Sequence, residues 1–220
     1  KYLGFLKIYQ QALPNDVVIV LDGNDYFISD DALTLVHSNY INHKCWLTYG
    51  SYIGPFSKET KGLDPNTHLD FRSSAWRYGH PRSFKAFLLK YLSEEDFKQE
   101  DGNWLTKGTD RGYILRLLEI SGQGKISYVK NPIYFYRKYP NNDWSVVSKE
   151  AKAAQLDHIR LLPSSVPLEE EVHVFVAIHG NMNRLQLFVD SILEGQTFKY
   201  RIKLHLWNNS NIYQKQIDDL

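Results

Sequence analysis

Apolar residues recur at helical spacing from the first turn of the chain. Tyr2, Phe5, Leu6, Tyr9, Ala12 and Leu13 form one stripe at i, i+3, i+4 and i+7. The helix is already under way at the first residue, with no start signal before it, which predicts a piece of a longer protein. Pro14-Asn15-Asp16 stops it. Residues 17–21 are a continuous β-branched and aliphatic run, which predicts a strand of a parallel sheet covered on both faces. Ser29-Asp30-Asp31 makes an acidic opening for a helix reaching about Tyr40. Residues 45–49 predict a second strand, followed by a Gly/Pro-containing loop to about Asp70. Pro81 suits the first position of a helix, with Phe84, Phe87, Leu88, Tyr91 and Leu92 on its buried face. After the polar connection 93–102, Thr109-Asp110 leads into a helix carrying Ile114, Leu117 and Leu118, and Gly122 ends it. Short strands are predicted over 126–129 and 133–136, then a helix over about 148–162 that Pro163 stops.

Pro163-Ser164-Ser165-Val166-Pro167, followed by Glu169-Glu170-Glu171, has the composition of an interdomain linker. Beyond it the pattern is β-α-β: a strand over 172–178, a helix over 184–193, and a strand over 201–207 with Ile202, Leu204 and Leu206 alternating against polar neighbours. The class is therefore α/β. Residues 1–162 form a first module, 163–171 a linker, and 172–220 the incomplete start of a second.

Composition narrows the function. The 220 residues suit one domain and the beginning of another, and 43% apolar against 23% charged residues is enough to build a core. With 26 basic and 25 acidic side chains the formal charge is +1, so no basic excess exists to neutralise a phosphate backbone and no nucleic-acid partner is expected. The lone Cys45 cannot form an internal disulfide. With no signal peptide and no apolar run near the ~20 residues a membrane helix needs, a cytoplasmic location is the expectation.

The candidate chemistry starts where the strand over 17–21 ends. Asp22 and Asp25, with Asn24 between them, offer hard oxygen ligands for Mg²⁺ or Mn²⁺. The same Asp-Gly-Asn-Asp string also suits a tight turn, and both readings stand. Asp110, at the start of its predicted helix, suits a cap or a first-turn acid favoured by the helix dipole. His80 and Arg82 flank Pro81 close to Trp76 and Arg77, where a guanidinium and helix-end amides would suit phosphate or a hydroxyl, or would merely be solvated. Trp104 and the pair Tyr134 and Tyr136 offer flat aromatic faces on which a ligand ring would stack, though core packing is the simpler reading of the tyrosines.

Val18-Ile-Val-Leu-Asp-Gly-Asn-Asp-Tyr-Phe27, then Asp31-Ala32-Leu33, resembles the metal-motif segment of family-2 glycosyltransferases. The similarity continues through Trp46-Leu-Thr-Tyr-Gly-Ser-Tyr52, His80-Pro-Arg-Ser-Phe-Lys85, Thr109-Asp110 and Pro132-Ile-Tyr-Phe-Tyr136, in the order these blocks take in that family. It implies a Rossmann-like A-type sheet with flanking helices. It further implies a metal-dependent enzyme that moves a sugar from a nucleoside-diphosphate sugar to the hydroxyl of a carbohydrate or glycosylated acceptor, with inversion. On that resemblance Asp22, Asn24 and Asp25 serve the divalent metal, Asp110 is the catalytic base, and Trp76, Arg77, His80, Arg82 and Trp104 line the substrate site. Asn24 stands where the family has an acid. An amide oxygen still ligates a metal but brings no charge, so affinity is expected to be lower. The segment after the linker resembles the start of a second such module, with Asn183, Arg184 and Asn208 as nucleotide contacts. There Asn208 and Asn209 replace the usual acids and His179 a proline.

Two other readings compete. A non-catalytic or truncated module that binds sugar or protein would account for Asn24 and Asn208. A haloacid-dehalogenase-like phosphatase also opens on a strand ending in aspartate, but it needs an acid two residues later and a threonine soon after, where this chain has Asn24 and Tyr26.

Overall fold

The computed structural model describes residues 1–54, 59–60, 70–137, 148–169, 171–178, 186–190 and 201–208. The chain divides into two compact units, Lys1–Pro167 and Leu168–Leu220. The class is mixed α/β.

The first unit runs α1 (Tyr2–Gln11), β1 (Val17–Val20), β2 (Tyr26–Phe27), α2 (Ala32–His43), β3 (Leu47–Ile53), β4 (Glu59–Thr60), β5 (Gly79–Lys85), 3₁₀ turns at Ala86–Tyr91 and Glu94–Phe97, α3 (Thr109–Ser121), β6 (Ile126–Phe135) and α4 (Lys149–Leu161). The strands form one sheet in the order β1-β5-β3-β6-β2, with β4 added to β3. Among the described strands of this sheet β3 and β6 run parallel and the other pairs are antiparallel.

The expected strand at 17–21 is present, but its setting differs. It pairs antiparallel with β5 and ends the sheet, and of its residues only Val18 is fully buried. A continuous aliphatic run does not distinguish a parallel central strand from an edge strand whose two faces meet different helices. Here Val17 and Ile19 pack on the α2 side with Val36, Tyr40 and Ile133, while Val18 is paired with Phe84.

Residues 81–92 do not form the expected helix. Residues 79–85 are a strand held on both sides, by β1 and by β3, and the chain then tightens into 3₁₀ turns. Two ladders of backbone hydrogen bonds outweigh a local helical spacing. Pro81 lacks an N–H, and it falls where the β3 register breaks between Thr48 and Gly50, so no ladder bond is lost. The spacing of Ala86, Leu89 and Leu92 is the three-residue repeat of a 3₁₀ turn.

The two strands expected at 126–129 and 133–136 are one, β6. It meets β3 in two stretches, Ile126–Val129 opposite Leu47–Gly50 and Tyr134–Phe135 opposite Tyr52–Ile53. The exposed Lys130 and Asn131, just before Pro132, fill the irregularity between them.

The helices follow their signals. Ser148 caps α4 by accepting from the Ala151 N–H, and Pro163 follows its end. Helix α1 forms, but its stripe is only partly covered. Phe5 is buried against Phe84, Tyr113 and Phe97, whereas Leu6, Tyr9 and Leu13 are exposed.

A buried ion pair ties the segment after Asp70 to α3 and α4. Arg72 donates to both carboxylate oxygens of Glu119 and to the Ile159 carbonyl, and Glu119 also accepts from the Ser165 N–H.

The second unit contains a parallel strand pair, β7 (Glu171–Ile178) and β8 (Arg201–Asn208), with residues 186–190 helical between them. Phe175 stacks on His205 across the pair. This fits the β-α-β pattern. Asn183 and Arg184 lie outside the described residues, and Asn208 is the last residue of β8.

Candidate functional site

Three chain segments meet at one end of β1. The turn after β1 is closed by a hydrogen bond from the Asp25 N–H to the Asp22 carbonyl, so the tight-turn reading of this string holds. Tyr134 on β6 organises it. Its hydroxyl donates to Asp25 Oδ2 at 2.7 Å and accepts from the Asp22 N–H at 3.3 Å. Asp25 Oδ1 accepts from the Arg137 N–H at 2.8 Å. Both oxygens of Asp25 are thereby used within the protein. Asn24 is exposed, its amide directed at the Arg137 carbonyl at 3.5 Å.

Asp22 instead faces β5 and α3. Its Oδ2 lies 3.8 Å from His80 Nε2, and Asp22, His80 and Asp110 offer ligand atoms that all lie within 4.8 Å of one another. His80 is stacked on Tyr134 with ring centres 4.9 Å apart, and its Nδ1 is buried without a hydrogen-bond partner. Arg82 is buried as well. It donates from Nε to the Tyr78 carbonyl at 2.9 Å and from Nη1 to Asp110 Oδ2 at 2.7 Å. His80 and Arg82 therefore act from a strand, and the expected helix-end amides are not beside them. The helix start that does contribute is that of α3, which carries Asp110 in its first turn. Gly108 sets that start. It sits at φ +69°, and a Cβ there would come 2.8 Å from Leu156.

Lys1 completes the group. Its ammonium is bonded to Asp110 and lies 3.8 Å from Asp22. Packing of Phe5 against Phe84 and Tyr113 fixes the first turn of α1 and so holds Lys1 over the acids.

The charges set the protonation states. Burial alone would raise the Asp110 pKa, but Arg82 and Lys1 outweigh it and hold the carboxyl ionised, well below the usual range. Asp22 is shifted up, by burial first, with Lys1 opposing. Burial, aided by the Arg82 charge, pushes His80 down to about 2, so its imidazole is neutral.

This imposes a pH dependence on stability. Unfolded, His80 titrates near ~6.5. Between that value and the folded one the unfolded chain holds more protons, so stability is full above pH ~6.5 and falls on acidification, approaching ~1.4 kcal/mol per unit. Asp110, held low by Arg82 and Lys1, adds loss in the same direction below pH ~4, while Asp22, raised by burial, works the opposite way in a window above pH ~4. Urea unfolding in EDTA should show the midpoint dropping between pH 7 and 5, with a flatter profile for His80→Gln. Equal slopes for the two proteins would refute this account.

The other predicted residues are distributed around the group. Trp76 is half-buried, with Arg82 over its ring at 5.4 Å, and Arg77 is exposed. Trp104 is largely exposed, 6.2 Å from the ring of Tyr2 and under the Lys98 ammonium. Tyr134 is fully buried and Tyr136 half-buried, and Tyr136 packs beside Tyr52 and His80. The sequence reading missed Lys1 and the clamp made by Tyr134. Nothing in local spacing announces either, because each acts on residues distant in the chain.

Chemically, the group offers an ionised carboxylate next to a second acid and a neutral imidazole. Two carboxylates and an imidazole nitrogen make a donor set that can hold a divalent cation. Searches against models of known families and against curated proteins find no match to this sequence. Among the described residues, no helix is long and apolar enough to cross a membrane.

Proposed function

We propose that the chain is part of a nucleotide-sugar glycosyltransferase that transfers a sugar to an acceptor hydroxyl with inversion. One observation carries the reading: Asp110, ionised in the first turn of α3, converges with Asp22 at the end of β1. A sugar hydroxyl is a poor nucleophile, so a carboxylate must take its proton as attack begins. Asp110 is the group for that step. Attack forms the new glycosidic C–O bond as the bond to the nucleoside diphosphate breaks, and the diphosphate leaves with the electron pair. Asp22 and His80 would hold a Mn²⁺ or Mg²⁺ ion, whose chemistry is to neutralise charge on that leaving group. Arg82 orients the Asp110 carboxylate through its 2.7 Å bond. The resemblance to family 2 supports the same assignment, and the role expected for Asn24 and Asp25 passes in this reading to His80.

A second reading has its own observation. Lys1 and Arg82 already balance the charges of Asp22 and Asp110, an arrangement that also suits a module binding sugar or protein without turnover. Isothermal titration with a panel of nucleoside diphosphates and their sugars, with and without Mn²⁺, separates the two. The transferase reading expects Mn²⁺-dependent binding of one nucleotide, weakened by about tenfold or more in Asp22→Ala. Absence of any nucleotide binding favours the second reading.

A further inference from the structure

The first turn of α3 carries two neighbouring charges that take different partners. Asp110 turns to Arg82 and Lys1. Arg111 lays its guanidinium over the Trp76 ring, 5.1 Å from its centre, and Arg82 lies over the same ring at 5.4 Å. An indole face attracts a cation but does not neutralise it. Arg82 has Asp110 as its counter-charge. Among the described residues, Arg111 has no carboxylate partner, and its one contact of this kind is the ring. It is half-buried, and desolvation together with the positive charges of Arg160 and Arg82 lowers its pKa. A guanidinium partly removed from water, with like charge around it, is a cost that an anion would relieve.

Both supports are firmly held. Gly108 fixes where α3 begins, and the Arg72–Glu119 pair anchors the segment leading to Trp76. A guanidinium near an aromatic face keeps its N–H donors for other partners, and its planar fork suits the two oxygens of a carboxylate or phosphate. We infer that Arg111 and Trp76 form an oxyanion-binding subsite beside Asp110, suited to a sugar acceptor that carries a carboxylate or phosphate. The anion site stands on its own geometry. Its assignment to an acceptor rests on the transferase reading.

The test titrates the full chain with inorganic phosphate, glucose 6-phosphate and glucuronate, with glucose as the uncharged control. Wild type is expected to bind the three anions and not glucose. Arg111→Met should weaken anion binding by about tenfold or more, and Arg111→Lys should fall between the two. If wild type binds none of the anions, or Arg111→Met binds them equally well, the subsite is overturned. Should the Met variant fail to fold by circular dichroism, the indole N–H resonance of Trp76, assigned through Trp76→Phe, decides the matter on wild type. A shift on phosphate addition supports the subsite, and none overturns it. The arms with the two sugar acids separate phosphate from carboxylate preference. Transfer assays then distinguish the two proposals. Anion binding through Arg111 without transfer to any acceptor removes the transferase reading and leaves the subsite standing. Transfer with equal kcat/KM for charged and neutral acceptors overturns the acceptor assignment.

Discussion

On the transferase reading, Asp110→Asn is expected to lower kcat for sugar transfer by about 10²–10⁴-fold, the range for loss of a positioned general base. The amide keeps the size of the side chain and an oxygen toward Arg82, so the local shape is retained while the proton acceptor is lost. KM for the nucleotide sugar should change far less than kcat, because the donor is assigned to Asp22 and His80 and the base acts only as attack begins. The substitution also leaves the buried Arg82 without its counter-ion. Circular dichroism and nucleotide titration on the same sample are therefore part of the measurement. A folded, nucleotide-binding variant with kcat within tenfold of wild type would remove Asp110 from the chemistry.

The largest effect on stability is expected away from these acids. Arg72 and Glu119 are both buried, and their pair joins the segment before Trp76, α3 and the C-terminal end of α4. Removing one partner of such a pair costs about 3–5 kcal/mol, since the other charge is left out of water. Total stabilities of ~5–15 kcal/mol make that a large fraction. Glu119→Gln should thus lower the urea midpoint sharply. The double variant Arg72→Met with Glu119→Leu should recover much of the loss, because an apolar pair of similar volume leaves no stranded charge. A single variant as stable as wild type would show that Arg72 finds another counter-charge. The pair also bears on the anion subsite, since it fixes the segment that carries Trp76.

What the sequence disclosed follows the range of each signal. Helices α2, α3 and α4 carry local marks: the acids before Ala32, Thr109-Asp110 ahead of Ile114 and Leu117, and Ser148 as a cap. Those signals act within a few residues, and these helices appear close to where they were expected. Residues 81–92 depart from the helix their spacing predicts because Phe84, Leu88 and Leu92 imitate a helical stripe, while the partners that make residues 79–85 a strand lie at Val17–Val20 and Leu47–Gly50. Spacing within one segment cannot report them. The candidate site divides in the same way. Asp22 and Asp110 stood out because each follows a recognisable element boundary. The meeting of His80 with Asp22 and the Tyr134 hydroxyl under the turn depend on pairings across the sheet, and the Lys1 ammonium over both acids depends on the packing of Phe5. Arg111 carries no local mark, for a different reason. A charged residue in a first turn looks solvated until Trp76, far back in the chain, is found against it.

The register of the sheet also bears on how the molecule can assemble. Along the path β1-β5-β3-β6-β2 no two neighbouring strands are joined by a tight turn: Val18 meets Phe84, Leu47 meets Ile126, and Tyr26 meets Phe135. The first ladder bonds between these strands therefore close long loops, and the entropy of closure falls due before any of the pairings can reward it. Helices α3 and α4 can form early from local contacts, whereas β5, which needs β1 and β3 on either side, belongs among the late steps. His80 and Arg82 are carried by that strand, so the group around Asp22 and Asp110 is complete only once it has docked.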